Sequence, residues 1–415
     1  MMNREDYIEE ALNIAKSHKN LFLQWPTGLG KSRCALEIIK EFEMSPYDTG
    51  VVFPKYLIVV PKLVLIENWK NEIKKWLGEN KLSFFHFTTY VSFYKTVSTY
   101  WNCIIFDEGH HFTERCAEAY QKGMSSRVII LSATSRRESL ERYRTVLTDL
   151  WFHKVSTRRV IEEEILPDPT VFVVPLSLDE LKGQYVFVKN PNGKGLFRIN
   201  YAARNAYFKR RERIEIICTA IQCHLLYCKE IEYLEKRYKT TQQPWLRNLW
   251  LHAKGERLKW LSAIKTPLVK DILKELEGCR TLTFCSSIAQ TEELGKYNIN
   301  SKRKKEGDMN LKMFNEGKIN HITACSILDE GVNLTSCQVG IFAGLNSSET
   351  MVKQRLGRIL RHKNPLIILL YFVNTRDEEI LEKMKKDYNP ELIHIVEVKD
   401  LKQQIKTFME NETDH

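Results

Sequence analysis

Short apolar runs alternate with amphipathic stretches over the first third of the chain: "LFLQ" at 21–24, "YLIVVP" at 56–61, "CIIFDE" at 103–108 and "VIILSAT" at 128–134. Runs of this length and β-branched content, separated by helix-period segments, predict strands buried on both faces and joined by crossover helices. That is a parallel sheet. A second series follows, with "VFVVPL" at 171–176, "TLTFCSS" at 281–287, "HITACS" at 321–326, "VGIFAG" at 339–344 and "LIILLYFV" at 366–373. The pattern therefore predicts an α/β protein of two domains, 1–165 and 166–415, punctuated by "LPDPT" at 166–170. Inside the second series, Ile214, Ile217, Ile221, Leu225, Ile231 and Leu234 recur near helical spacing, which predicts a helical insertion over about 177–262. No repeat with a period of about 20–50 residues is present.

Charge changes the picture of that insertion. The 415-residue chain carries a net charge of +11, and residues 176–265 hold 18 Lys and Arg against 8 Asp and Glu, nearly all of the excess. Tyr201, Tyr207, Phe208, Tyr227, Tyr233, Tyr238, Trp245 and Trp250 interleave with those charges. A solvated helical face is one reading; basic and aromatic residues together favour a nucleic-acid surface, with many of the rings in a core. The ten cysteines include no C-x-x-C pair and read as reduced core residues. Cys218, Cys223 and Cys228 recur every five residues, which spreads them around a helix and argues against zinc. No apolar run reaches the length of about 18 residues that a membrane span needs, and "MMNREDYIEE" is charged where a signal peptide is apolar. A cytoplasmic protein without a membrane partner is expected.

Two segments carry candidate chemistry. In "WPTGLGKS", Trp25 to Ser32, Gly28 and Gly30 can take positive φ and aim successive backbone N–H groups at one anion. Lys31 adds a point charge, the Ser32 hydroxyl a Mg²⁺ ligand, and the periodic Ala35, Ile38 and Ile39 begin a helix whose N-terminus favours phosphate. In "IIFDEGHH" a strand ends in Asp107 and Glu108, a carboxylate for the metal beside one that can orient and deprotonate an attacking water.

These segments, with four more in order, give a specific likeness. "WPTGLGKS", "DEGHH", "LSATS" at 131–135 and "QRLGRILR" at 354–361 match the first, second, third and sixth motifs of the superfamily 2 nucleic-acid helicases and translocases of the DEAD/DEAH-box type. "VVPKLVLIENW" at 59–69 resembles the motif that holds the tracking strand and "LDEGVNL" at 328–334 the fifth motif. The general style is similar to phage replication or recombination helicases, which would place a phage-encoded protein in a host cytoplasm, and to the motor parts of restriction translocases. The resemblance implies two RecA-like domains that close over ATP and Mg²⁺.

Residue by residue, the resemblance implies that Thr27, Gly28, Leu29, Gly30, Lys31 and Ser32 cradle the phosphates, Ser32 and Asp107 hold Mg²⁺, and Glu108 holds the attacking water. Gly331 and Asn333 would approach the nucleotide, Gln354 the γ-phosphate, and Arg358 and Arg361 would be arginine fingers. His110, Ser132, Ala133 and Thr134 would couple hydrolysis to domain movement. Pro61, Lys62 and Ser286 would touch the strand, joined by Arg210, Arg211 and Arg213 of the basic segment. Trp25 stands where the family has a small residue. Gln24 abuts the loop and no adenine-reading motif precedes it, Asn333 stands where many relatives have Asp, and Cys325 roughly where Thr is common.

The expected activity is an ATP-dependent motor on nucleic acid, DNA more than RNA, working as a monomer with replication or recombination proteins as possible partners. The alternatives are a nucleotide-gated clamp that does not travel and an RNA-acting helicase. If the basic segment is the grip, neutralising Arg210, Arg211 and Arg213 weakens binding to all sequences alike and flattens its dependence on salt. An unchanged salt slope in a binding titration assigns them to a solvated face.

Overall fold

The computed structural model describes residues 2–42, 54–96, 98–120, 124–134, 137–179, 186–188, 216–325, 337–345, 362–386 and 388–413. Six strands form the first sheet: β1 (Asn20–Gln24), β2 (Tyr56–Val60), β3 (Phe85–Thr89), β4 (Trp101–Asp107), β5 (Ser125–Ser132) and β6 (Leu150–Lys154). Their order is β3-β2-β4-β5-β1-β6, and every neighbouring pair is parallel. Alternate residues supply two cores. Leu21, Leu23, Ile58, Val60, Ile105, Ile129 and Leu131 face the helices Arg4–Ser17, Lys31–Phe42 and Val64–Trp76, while Phe22, Leu57, Val59, Ile104, Phe106, Val128 and Ile130 face Phe93, Phe112 and Tyr143. Covering both faces is what makes the runs continuously apolar. The edge strands β3 and β6 are only partly buried, so "FHFTT" and "LWFHK" carry no such run and escape a reading by apolar stretches.

Residues 155–169 lead from β6 to β7 (Thr170–Leu176). A short antiparallel pair, β8 (Val186–Val188) and β9 (Ile216–Cys218), comes next. The second sheet is completed by β10 (Thr281–Cys285), β11 (Asn298–Ile299), β12 (His321–Cys325), β13 (Val339–Phe342), β14 (Leu366–Phe372) and β15 (Ile393–Ile395). Its order is β11-β12-β10-β13-β14-β7-β15, again parallel throughout. β7, first in the chain, is thus inserted between the last two strands, with Thr170 opposite Leu366 and Leu176 opposite Phe372.

Among its described residues, the insertion between β7 and β10 differs from its sequence pattern at one place. Ile217 lies in β9, and the helix begins only at Ala220, where Thr219 and Gln222 form a reciprocal capping box. A β-branched pair paired to another strand outweighs the helical spacing there. Helix Ala220–Thr241 then turns at Gln242, in the left-handed region at φ 53°, into helix Pro244–Ala263, whose proline occupies the first turn. Ile231, Leu234, Leu246 and Ala253 seal the pair, Tyr227 is buried, and Trp245 stays 50% exposed with the Arg237 guanidinium 5.7 Å from its ring.

The base of this helical pair is pinned by a buried ion pair. Lys265 Nζ donates to Asp377 Oδ2 at 2.5 Å and to the Leu370 carbonyl of β14 at 2.8 Å. Desolvation pulls the Lys265 pKa down and Asp377 opposes it. Removing one partner strands the other charge in a dry site, so Asp377→Ala is expected to cost about 3–5 kcal/mol, whereas Lys265→Met with Asp377→Leu approaches neutrality. Urea unfolding of both variants checks this, and equal losses in the two would contradict it.

Candidate active site

The site begins with strand register. Gln24 pairs with Ser132 and Leu131 with Asp107, so β1, β5 and β4 end level at their carboxyl termini. That edge, where β1 is flanked by strands later in sequence on both sides, is where open α/β sheets bind ligands. Beyond β1 the chain makes the glycine turn, with Gly28 at φ 97° and Gly30 at φ 102°, and helix Lys31–Phe42 starts at once. Both angles suit glycine alone.

Lys31 is half-buried, and its ammonium donates to the carbonyls of Trp25 at 3.1 Å and Pro26 at 3.3 Å. Burial lowers its pKa, while the charges of Glu108 and Asp107 work in the opposite direction. Asp107 is fixed twice. Trp69 Nε1 donates to its Oδ2 at 2.8 Å, and the Tyr90 hydroxyl donates to its carbonyl at 2.8 Å. Glu108 takes φ 50°, a left-handed conformation that costs a non-glycine residue about 1–2 kcal/mol. This reversal lets adjacent carboxylates, which would diverge on a strand, line one cleft of about 560 Å³ together with Thr27, Gly28, Leu29, Gly30, Lys31 and Ser32. At Gly109 a Cβ would lie 2.3 Å from Ile130 Cγ2, so no larger residue fits behind the turn.

A polar chain runs from the carboxylates to the end of β5. Glu108 Oε2 lies 3.5 Å from His110 Nδ1, which is 3.2 Å from Ser132 Oγ. The Ser132 hydroxyl donates to the Thr134 carbonyl and accepts from the Thr134 N–H, and Ser139 Oγ donates to the His110 carbonyl at 2.9 Å. Ala133 lies between them, buried.

Trp25 acquires an account. It is fully buried, its Nε1 donates to His153 Nδ1 at 3.1 Å, and its ring meets Tyr7 edge-on at 6.3 Å. His153 Nε2 lies 3.2 Å from Glu10, and desolvation lowers the His153 pKa, which favours the neutral ring that accepts from Trp25. The unusual residue of the phosphate loop is therefore the anchor of the helix Arg4–Ser17.

Both halves of the chain match known proteins. Residues 3–137 match the family model of the type III restriction enzyme res subunit, and residues 264–363 that of the helicase conserved C-terminal domain. A curated relative, the DNA 3'-5' translocase XPB2 of Sulfurisphaera tokodaii, is 25% identical over 92% of this chain and 82% of its own. The chain belongs to the superfamily 2 helicases and translocases. Members of this superfamily are ATPases, and this one has their two-sheet architecture. Dbp5 of Saccharomyces cerevisiae, bound to RNA and ADP-BeF3, superposes with a TM-score of 0.60 at 11% identity over 97% of this chain and 92% of that one. A putative HsdR subunit of a type I restriction enzyme from Vibrio vulnificus gives 0.58 at 16% identity over 95% and 68%. These matches carry the likeness to restriction motors and not the one to phage replication or recombination helicases.

Within this superfamily 2 chain, the first-sheet residues singled out from sequence fall on one edge: the loop 27–32, Asp107, Glu108, His110 and Ser132 to Thr134, with Pro61 and Lys62 directly after β2 on the same side. Ser286 follows β10 of the second sheet, its N–H donating to Gln290 Oε1 at 3.3 Å. Gly331, Asn333, Gln354, Arg358, Arg361, Arg210, Arg211 and Arg213 lie outside the described residues. Sequence reading gave no role to Trp69, Tyr90 and Gly109; Trp69 and Gly109 stood inside quoted motifs, and Tyr90 shows only in three dimensions. No helix among the described residues is long and apolar enough to cross a membrane. Trp25→Ala is expected to cost about 3–5 kcal/mol through its cavity, and Trp25→Phe about 1 kcal/mol for the lost bond. Chemical unfolding of the two variants measures both; equal stability of Trp25→Ala and the parent would remove the anchor.

Proposed function

We propose that this chain is an ATP-dependent DNA translocase or helicase. The observation that carries the reading is that Lys31, Ser32, Asp107 and Glu108 line one cleft with a glycine turn at the level ends of three parallel strands. The hydroxyl and carboxylate pair Ser32 and Asp107 is the hard-oxygen donor set that suits Mg²⁺, which when bound would neutralise phosphate charge. Lys31 exchanges its two backbone carbonyls for the β and γ phosphates, and the loop N–H groups of residues 27–32 hold the rest. Glu108, half-buried and turned back by its left-handed backbone, orients the attacking water and takes its proton.

Phosphoryl transfer needs positioning and charge neutralisation more than covalent chemistry, and one arginine finger is worth about 10³–10⁵ in rate. In this reading Arg358 and Arg361 supply that charge and Gln354 contacts the γ-phosphate, so the second domain, about 166–415, must close on the first, about 1–165. The chain from Glu108 through His110 and Ser132 to Thr134 carries the state of the γ-phosphate to the edge that meets the second domain. Pro61, Lys62 and Ser286 hold the strand backbone, Gly331 and Asn333 act at the nucleotide, and the segment 177–262 is the grip. Such backbone contacts position a strand without reading its sequence.

DNA is favoured by the Sulfurisphaera tokodaii relative, which is named a DNA translocase and aligns over most of both chains. The RNA-bound structure, at 11% identity, speaks for fold alone. Lys31→Ala and Glu108→Gln are each expected to abolish nucleic-acid-stimulated ATP hydrolysis with an unchanged circular dichroism spectrum. The assay uses single-stranded DNA, duplex DNA, branched DNA and RNA at one salt concentration. Unchanged turnover in both variants overturns the motor, and stimulation by RNA alone overturns DNA.

A further inference from the structure

The cleft that holds the phosphate loop is also lined by Ile8, Arg33 and Trp76. Arg33 directly follows Ser32, so it stands within one helical turn of the phosphate-binding residues. Its guanidinium carbon lies 4.1 Å from the centre of the Trp76 ring, and its two terminal nitrogens donate to Glu5 at 2.6 and 2.7 Å. The result is a planar cation laid on an indole and clamped at its edge by a bidentate carboxylate. Lys75 Nζ lies 4.8 Å from the same ring. Trp76 is itself fixed, its Nε1 donating to Glu72 at 2.9 Å, which commits that carboxylate.

We propose that the Arg33–Trp76 stack is the platform for the nucleobase, and that it takes purine nucleoside triphosphates without discriminating adenine from guanine. The inference deepens the ATPase reading and rests on it. A clamped guanidinium recognises the face of an aromatic ring, and both purines offer a similar face. Rejecting one purine by several orders of magnitude needs hydrogen bonds to the base edge, because only a polar group left unpaired penalises the wrong base. Ile8, in the same lining, makes none, and Gln24 is not among the cleft residues. Arg4, Asn68 and the exposed amide of Asn71 also line the cleft, and Asn71 is the side chain chosen to test edge reading.

The experiment uses the full chain with saturating DNA and Mg²⁺ and measures steady-state hydrolysis of ATP, GTP, CTP and UTP. Equal use of both purines within about threefold, with the smaller pyrimidine rings about tenfold poorer in kcat/KM, is expected from stacking alone. Arg33→Ala should raise KM for ATP and GTP by about tenfold with little change in kcat, and Arg33→Lys should not rescue it, since the flat fork is what stacks. A preference for ATP over GTP beyond about a hundredfold overturns the proposal. So does an Arg33→Ala variant that loses stability while keeping its KM, which would make the stack only a fastener of the N-terminal helix. An Asn71→Ala variant that shifts the ATP to GTP ratio by about tenfold or more assigns base reading to an edge contact and also overturns it.

Binding is followed separately by energy transfer from tryptophan to N-methylanthraniloyl ATP and GTP. Transfer of similar strength to both, reduced in Trp76→Phe, supports the platform even where no triphosphate is hydrolysed. In that case the motor reading fails and the base site stands. Transfer to the ATP probe alone overturns the platform while DNA-stimulated ATPase leaves the motor intact.

Discussion

Everything at the candidate site depends on burying one ammonium opposite two carboxylates at the end of a parallel sheet. Lys31 is desolvated, and the charges of Glu108 and Asp107 are what offset the cost of keeping it ionised. That arrangement requires β1, β4 and β5 to end level, which their register enforces through Gln24 against Ser132 and Asp107 against Leu131. A slip of one residue would turn each of those side chains to the opposite face.

The local costs around this charge group are met by neighbours that do no chemistry. Glu108 holds a left-handed backbone, and Gly109 after it packs so close to Ile130 that no side chain fits there. Asp107 keeps its orientation because an indole and a phenol from two other elements each bond to it. The same logic extends behind the loop, where Trp25, His153 and Glu10 tie the first helix to β6, and Arg33 ties it through Glu5 to Trp76. Rotamers held by packing and hydrogen bonds on several elements are what keep a phosphate site in productive geometry.

The second sheet applies a related principle to the insertion. Lys265 and Asp377 join the foot of the helical pair to β14, and Gln290 bonds to both Ser262 and the N–H of Ser286, so the loop after β10 and the end of the second helix share one side chain. A contiguous polar network is a physical route by which movement of the insertion and of that loop would be linked.

The sequence by itself determined the strands buried on both faces, the order of the motifs and the chemical identity of the loop, because continuous apolar runs and glycine–lysine–serine spacing are local properties. It did not reveal β3, β6 and β15, whose exposed edges dilute the apolar signal, and it misread Ile217 as helical where pairing across the chain to β8 decides. It left Trp25 without a role, since the partners that explain it, Tyr7 and His153, lie far away in sequence. Tertiary structure alone decided that Trp69 and Tyr90 hold Asp107, that β7 enters between β14 and β15, and that Arg33 lies on Trp76. Each of these is a meeting of side chains or backbones from different elements, and such meetings are fixed by how sheets and helices pack, not by the spacing of residues along the chain.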